Sequence, residues 1–511
     1  MIGTRGSVGG RAVAGVALAA LLLTACSDDD GGDPASSTTA PPTSEAGGFE
    51  DQVEAAAQTM LDDGGVNGAT AAYVSISDPE NGDVTVVLGT LASDGADPAS
   101  AEDNIPIGSI TKTLTATVIL QMIDDGDLSF DDTVADLLPD LATEHPDIAD
   151  ITVEQLLSMT SGISDYANVP DAVVADLVDD PTKVWEPEEL IAAGVGVGVD
   201  PERTPGYSTT NYIILQLVAE SIAGQPLEEL ITSEVTAPLG LDRMVLPPPD
   251  DTTLPDPHPR GYIAGGCVDE VADDGATVED PTDATDWNTS FTQGGGGAYA
   301  TIGDLLGWAE STVGSTLLSD ELAAQRLETA PLREGFQYGL GILELGTSWY
   351  GHAGEALGWE ALAVTDPDTG VSVAVAMNGC GGQIQYFAEF LDTIYPDGAI
   401  TGPAAESDDE DATEEIPNET IFIGGDTVLQ AGWTACTWDG TALTVSAETD
   451  GATIEVTPAD GGDVGITVTG ADEWTATGTP TEVDGVIEVE GTGTGPDGDE
   501  AEITLVVYDC A

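Results

Sequence analysis

Basic residues are the scarcest feature of this 511-residue chain. Nine lysines and arginines, only two of them lysine, and three histidines stand against 94 acidic side chains, for a formal net charge of −85. So few cations cannot neutralise a run of phosphates, which excludes a nucleic-acid partner. The same sign opposes electrostatic docking on an anionic membrane. It fits a solubilising surface suited to salty surroundings better than a specific polycation-binding face. The histidines, His145, His258 and His352, show no metal-ligand spacing, so neither a metal nor a cofactor is expected. Beyond the N-terminus no segment is long and apolar enough to span a bilayer. What remains is 41% hydrophobic, ample for a large core, over a length that predicts two or three domains.

The N-terminus offers another route to a membrane. Arg5 and Arg11 precede an apolar stretch over 13–23, and Leu23-Thr24-Ala25-Cys26 resembles the lipobox of bacterial lipoproteins. Residues 1–25 then read as an export signal and Cys26 as a lipidated first residue, anchoring the protein to the outer face of the cytoplasmic membrane. Residues 26–48, rich in Asp, Gly, Ser, Thr and Pro, read as a flexible tether. Four cysteines remain, an even number in an exported chain. Pairing Cys267 with Cys380 and Cys436 with Cys510 keeps each bridge inside one proposed domain, although four cysteines allow three connectivities. A Cys436–Cys510 bridge would close a loop of about 75 residues and contribute on the order of 4 kcal/mol.

Ordered structure is expected from Phe49, where Val53, Ala57, Met60 and Leu61 recur at helical spacing. Strands are expected over 69–77 and 84–88, and helices over 111–124 and 211–222, the latter buried for want of polar interruptions. A self-repelling acidic linker, residues 399–418, closes a domain of 49–398. In 419–511 pairs such as Leu443/Val445, Ile454/Val456 and Ile503/Leu505 alternate with polar residues between Gly and Asp turns, the mark of a small all-β domain. It holds no histidine, lysine or arginine, which argues against base or nucleophile chemistry there. It loosely resembles secreted lipoprotein-antigen domains of actinobacteria.

One of the two lysines stands in Ser109-Ile110-Thr111-Lys112. With lysine so rare, a chance Ser-x-x-Lys is expected about 0.1 times. On a helix the pair shares a face, so the amine can take the hydroxyl proton and activate a weak nucleophile. Three further landmarks follow in order: Thr160-Ser161-Gly162, Tyr207-Ser208-Thr209 within Pro205-Gly206-Tyr207, and His352-Ala353-Gly354. With them, 49–398 resembles the serine β-lactamase and penicillin-binding family, especially its class C and D-Ala-D-Ala carboxypeptidase branch. The resemblance implies an α+β fold, an antiparallel sheet flanked by helices with an all-helical subdomain.

The resemblance also implies roles. Ser109 is the nucleophile, Lys112 or Tyr207 the base, and His352 a hydrogen-bond partner of Tyr207 or the substrate. The backbone N–H groups of Ser109 and Glu355 form the oxyanion hole, and Thr209, Ala353 and Gly354 contact substrate. His145, His258 and Lys183 read as incidental, and Met159, where relatives often carry histidine, as catalytically silent. Thr209 occupies a place usually held by asparagine, and one short hydroxyl cannot both brace the lysine and present an amide to substrate. No cation follows Tyr338-Gly339-Leu340-Gly341 to receive a substrate carboxylate, which leaves Arg260 or Arg203 to do so. Three activities stay open: a peptidase or weak β-lactamase on cell-wall peptides, an esterase or amidase on small acyl substrates, and a low-turnover penicillin or peptide sensor. No oligomeric state follows from the sequence.

Overall fold

The computed structural model describes residues 48–396, except 65–67, 94, 169–172, 174–175, 178–179, 201–204, 252, 264–281, 334–335, 347 and 380–382, together with the backbone of nine strands between 420 and 508. Two compact units divide at 402/403, within the acidic segment. Cys26, Cys267, Cys380 and Cys510 lie outside the described residues. Cys436 falls in a strand whose side chains are not described, so both cysteine pairings and the lipid anchor stay expectations. Among the described residues no helix is long and apolar enough to cross a membrane.

In the first unit the principal helices are α1 (Phe49–Gly64), α2 (Thr111–Asp125), α3 (Val153–Leu157), α4 (Pro187–Val197), α5 (Thr209–Ala223), α6 (Ile302–Thr312), α7 (Asp320–Arg326) and α8 (Gln383–Ile394). The principal strands are β1 (Ala71–Ser77), β2 (Val84–Gly89), β3 (Ala330–Arg333), β4 (Phe336–Tyr338), β5 (Leu343–Leu345), β6 (Trp349–Ala356), β7 (Trp359–Asp366) and β8 (Val371–Asn378). They form one antiparallel sheet in the order β2-β1-β8-β7-β6-β5-β4-β3. This is the α+β architecture the resemblance implied.

Every residue of β7 and β8 is buried. Successive strand side chains point to opposite faces, so the sheet is covered on both sides at its centre. Helix α6 packs on β1, β7 and β8, while α1 and α8 pack on each other and on the sheet. The apolar residues of α1, Val53, Ala57 and Met60, are the buried ones, as their spacing requires. Polar atoms in this core are satisfied locally: the Thr365 hydroxyl donates to Ala309 O at 2.8 Å and meets Ser372 Oγ at 2.8 Å.

Helices α2 and α5 are buried almost all round. The threonines of α2 make this possible by turning their hydroxyls onto nearby carbonyls: Thr113 to Ile110 O, Thr117 to Thr113 O and Thr115 to Gly294 O. Gly126, at φ +79°, closes the helix in the left-handed conformation that glycine adopts without strain.

The second unit holds β9 (Thr420–Ile423), β10 (Asp426–Gln430), β11 (Trp433–Trp438), β12 (Leu443–Thr449), β13 (Ala452–Pro458), β14 (Val464–Thr469), β15 (Trp474–Val483), β16 (Val486–Thr494) and β17 (Glu500–Tyr508). These make one antiparallel sheet, β10-β9-β17-β16-β15-β14-β13-β12-β11. From β11 to β17 every strand pairs with its successor, so local hairpins generate most of the unit.

Candidate active site

Ser109 sits in a 3-10 turn, Gly108–Ile110, that feeds directly into α2. The turn packs against β6 so closely that only glycine fits on either side. An ideal Cβ on Gly354 would lie 1.9 Å from Ile107 O and 3.0 Å from Ser109 N. One on Gly108, whose φ is +50°, would lie 2.5 Å from Glu355 N and 2.3 Å from Glu355 O. Ser109 and the backbone of Glu355 are thereby held together. Strand β5 pairs with β6 only as far as Gly351, and among the described residues no strand pairs with that edge over 352–356.

Lys112, the second residue of α2, is completely buried. Its Nζ lies 3.0 Å from Ser109 Oγ, 2.8 Å from Gly295 O and 3.3 Å from Thr209 Oγ1. Burial lowers its pKa to about 7, with the Asp165 carboxylate opposing the shift. A neutral amine has two N–H donors and one lone pair. Donation to Gly295 O and Thr209 leaves the lone pair for the Ser109 hydroxyl.

Thr209, the first residue of α5, takes the lysine-bracing half of the place usually held by asparagine. It accepts from Lys112 and donates to Asp165 Oδ2 at 3.4 Å. Asp165 also accepts from Ala167 N at 3.1 Å, and burial raises its pKa against the pull of Lys112. Sequence reasoning passed over this aspartate, which stands in Gly162-Ile163-Ser164-Asp165 directly after a recognised landmark. Nor did it single out Gly294-Gly295-Gly296-Gly297. A Cβ on Gly295 would meet Thr209 Cγ2 at 2.6 Å, so the run brings a carbonyl to the lysine by lacking side chains.

Tyr207 lies in the turn before α5, with its ring centre 4.8 Å from Lys112 Nζ. The ring also packs 6.3 Å from that of Tyr338 and 6.2 Å from His352, centre to centre. Met159 holds this turn: its carbonyl accepts from Gly206 N at 2.9 Å and its Sδ from Ser208 N at 3.3 Å. Its φ of +59° is uncommon for a residue with a side chain. The residue read as silent thus anchors the Tyr207 turn.

His352 faces Tyr338 at 3.3 Å through Nε2, while Nδ1 lies 2.5 Å from Ala353 O. A carbonyl can only accept, so Nδ1 carries the proton and Nε2 accepts from the Tyr338 hydroxyl. Burial, then the Lys112 charge, lowers the imidazole pKa to about 3, and it is neutral at ordinary pH. Ala353 and Gly354 follow on the same strand. Behind Tyr338, its hydroxyl 3.3 Å from that of Tyr212, lies buried Arg326, which donates to Thr117 Oγ1 and Thr113 O. A 530 Å³ cavity opens beside Tyr338, lined also by Pro205, Leu340, Glu154 and Glu328.

Arg260 ion-pairs with Asp283 at 2.5 Å and Arg243 donates to Glu102 O and Asn104 Oδ1. Lys183, expected to be incidental, pairs with Asp176 at 3.2 Å and lies 3.4 Å from the Trp185 ring centre. Thus Lys112 is the one cation at the nucleophile among the described side chains; those of Arg203 and Arg333 are not among them. No group of three or more His, Cys, Asp or Glu among the described residues could hold a metal ion.

The fold, with a serine in the turn before a buried helix and a buried lysine 3.0 Å from its hydroxyl beside an antiparallel sheet, is that of a serine hydrolase. The Beta-lactamase family model matches residues 53–385, and the chain belongs to that family. Penicillin-binding protein 4 of Amycolatopsis lactamdurans is 26% identical over 335 residues, 61% of this chain and 81% of that protein. D-aminopeptidase of Brucella anthropi is 26% identical over 56% of this chain, which spans 51% of that protein. A crystal structure of a D-stereospecific amidohydrolase from Streptomyces sp. superimposes with a TM-score of 0.57 at 25% identity, covering 67% of this chain and 98% of that one.

Proposed function

We propose that this protein hydrolyses amide or ester bonds of small peptide-like substrates through an acyl-Ser109 intermediate. The amine of Lys112, with both N–H groups committed and its lone pair left for Ser109 Oγ, carries the reading. In acylation the Ser109 proton passes to Lys112 Nζ as Oγ bonds to the substrate carbonyl carbon. The backbone N–H groups of Ser109 and Glu355 receive the developing oxyanion, at about 3 kcal/mol per donor. The carbon–leaving-group bond then breaks and the leaving group takes the proton from Lys112. Water attacks the acyl carbon, gives a proton to the same amine, and the acid departs as Ser109 recovers its hydrogen. Tyr207, beside Lys112, stays the alternative base. His352 is neutral and committed to Tyr338, so its part is to position that tyrosine and the Tyr207 ring.

A D-Ala-D-Ala carboxypeptidase binds a free terminal carboxylate, and loss of a charge-assisted partner for it costs roughly 1.5–3 kcal/mol. Of the cations considered for this task, Arg260 is held by Asp283. That observation shifts the balance from the carboxypeptidase towards the amidase or esterase reading. The D-aminopeptidase and amidohydrolase relatives support the shift. The N-terminal pattern supports a reaction outside the cytoplasmic membrane on a Cys26 lipid anchor, which metabolic labelling with a fatty acid checks against Cys26→Ala.

Incubation of the purified ectodomain with a fluorescent penicillin and with a p-nitrophenyl ester, beside Ser109→Ala, tests the function. Ester turnover abolished by Ser109→Ala is the expected result. Stable labelling without turnover would favour the sensor reading, and signals indifferent to Ser109→Ala would remove the nucleophile.

A further inference from the structure

Glu355 follows His352-Ala353-Gly354, and its backbone touches that of Gly108, the residue before the nucleophile. Directly opposite on β7 stands Glu360, which is 2% exposed. Like charges directly opposite across an antiparallel pair destabilise it. Such broken local rules concentrate where function compensates. The remaining carboxylates near the site have the same sign: Asp165 beside Lys112, and Glu154 and Glu328 on the cavity next to Tyr338. The described cations near them are Lys112, whose own proton is engaged in the reaction, and Arg326, which is buried behind Tyr338 with its guanidinium committed to Thr117 Oγ1 and Thr113 O.

We propose that Glu355 is a specificity-determining residue: its carboxylate selects substrates that carry a primary ammonium close to the scissile carbonyl and repels those that carry a carboxylate there. This rests on the acyl-Ser109 reading and names the substrate class of that same site. An exposed residue at the end of β6 is free to meet a solvated ammonium, and the charge-assisted hydrogen bond so formed is of the stronger kind. Surrounding protein, then Glu360, pushes the Glu355 pKa up to about 7. Solvent access screens both effects, so the direction of the shift is what matters: discrimination grows as pH rises through neutrality. The titratable groups on the elements packed against β6 are Glu360 and Asp366 of β7, Glu344 of β5, and Lys112, Asp124 and Asp125 of α2; of these Glu360 is the one paired directly with Glu355.

Three p-nitrophenyl esters of matched size, whose acyl groups end in an ammonium, a methyl and a carboxylate, test this on the full chain. The expected order of kcat/KM is ammonium, methyl, carboxylate, with about tenfold or more between the extremes. Because Lys112 acts on all three alike, its titration cancels in the ratios. Glu355→Gln shrinks the ammonium-to-carboxylate ratio about tenfold and removes its rise with pH. Glu360→Gln, which keeps Glu355, moves that rise to lower pH, and serves where Glu355→Gln folds poorly. A ratio unchanged in both variants would overturn the proposal. So would a preference for the carboxylate ester that disappears in Arg203→Ala or Arg333→Ala. Serine-dependent turnover without charge order sinks this proposal alone. No turnover of any ester by the parent chain sinks the acyl-serine reading and this one with it.

Discussion

A lysine without access to water loses several kcal/mol of hydration, and only function or a complete set of partners keeps one there. Lys112 has three hydrogen-bonding partners and still ionises near pH 7. Between about 7 and the ordinary 10.5 the folded chain therefore binds fewer protons than the unfolded one. Stability contributed by this group rises with pH across that window and is absent below it. Replacing Lys112 by Met should flatten the rise in melting temperature with pH and leave the protein no less stable at pH 6, since removal of a buried charge is often neutral or stabilising. The same variant should lose about 10²–10⁴ of kcat/KM for a neutral ester. Parent activity should climb as pH passes through about 7, where the amine loses its proton. Lost activity together with an equally lowered melting temperature would make Lys112 structural. Thr209 is tested differently. Thr209→Val leaves one Lys112 N–H and the Asp165 carboxylate short of a partner, at a cost of about 1–3 kcal/mol, and should shift the pH midpoint of kcat/KM, which a purely packing role would not do.

At the scale of the element, the site depends on three backbones brought to one place by missing side chains. The Gly294–Gly297 run, the turn before α2 and the end of β6 approach one another where glycine removes the Cβ. Gly295→Ala forces a methyl to within 2.6 Å of Thr209 Cγ2 and moves the carbonyl that holds Lys112. Overpacking of this kind costs about 1–3 kcal/mol, and activity should fall further than stability, which parallel melting and ester assays would resolve. The elements themselves were legible in the sequence. Leu114, Val118, Ile119 and Met122 announce α2, and the unbroken apolar run of 211–222 announces the buried α5. Ser109 and Lys112 were legible because i and i+3 lie on one helix face. Asp165, Gly295, Tyr338 and Arg326 were not, since their link to the site is made by tertiary folding and no local spacing encodes it. The part Met159 plays in holding the Tyr207 turn was not legible for a related reason: it lies in its backbone and its sulfur, which its side-chain type does not reveal.

The whole chain joins two units with different construction. The first mixes local helices with a sheet in which β1 pairs with β8, some 300 residues away in sequence. In the second, six successive strands, β11 to β16, each pair with the next. The family match stops at residue 385 and the division between units falls at 402/403, so every residue assigned to the chemistry belongs to the first unit. A chain ending at Gly402 should therefore fold cooperatively and keep serine-dependent turnover of a neutral ester within about threefold of the full protein, since domains with their own core can fold alone. A large loss of kcat with normal melting would show that the second unit completes the site. Both forms should share one further trait. With a net charge of −85 spread over the full chain, self-repulsion works against the compact state. At about 0.1 M salt the Debye length is already near 10 Å and at 1 M near 3 Å, so melting temperature should rise steadily with sodium chloride. The ratio of kcat/KM values for ammonium and carboxylate esters should fall over the same range, because salt screens a carboxylate open to solvent and scarcely reaches the buried Lys112.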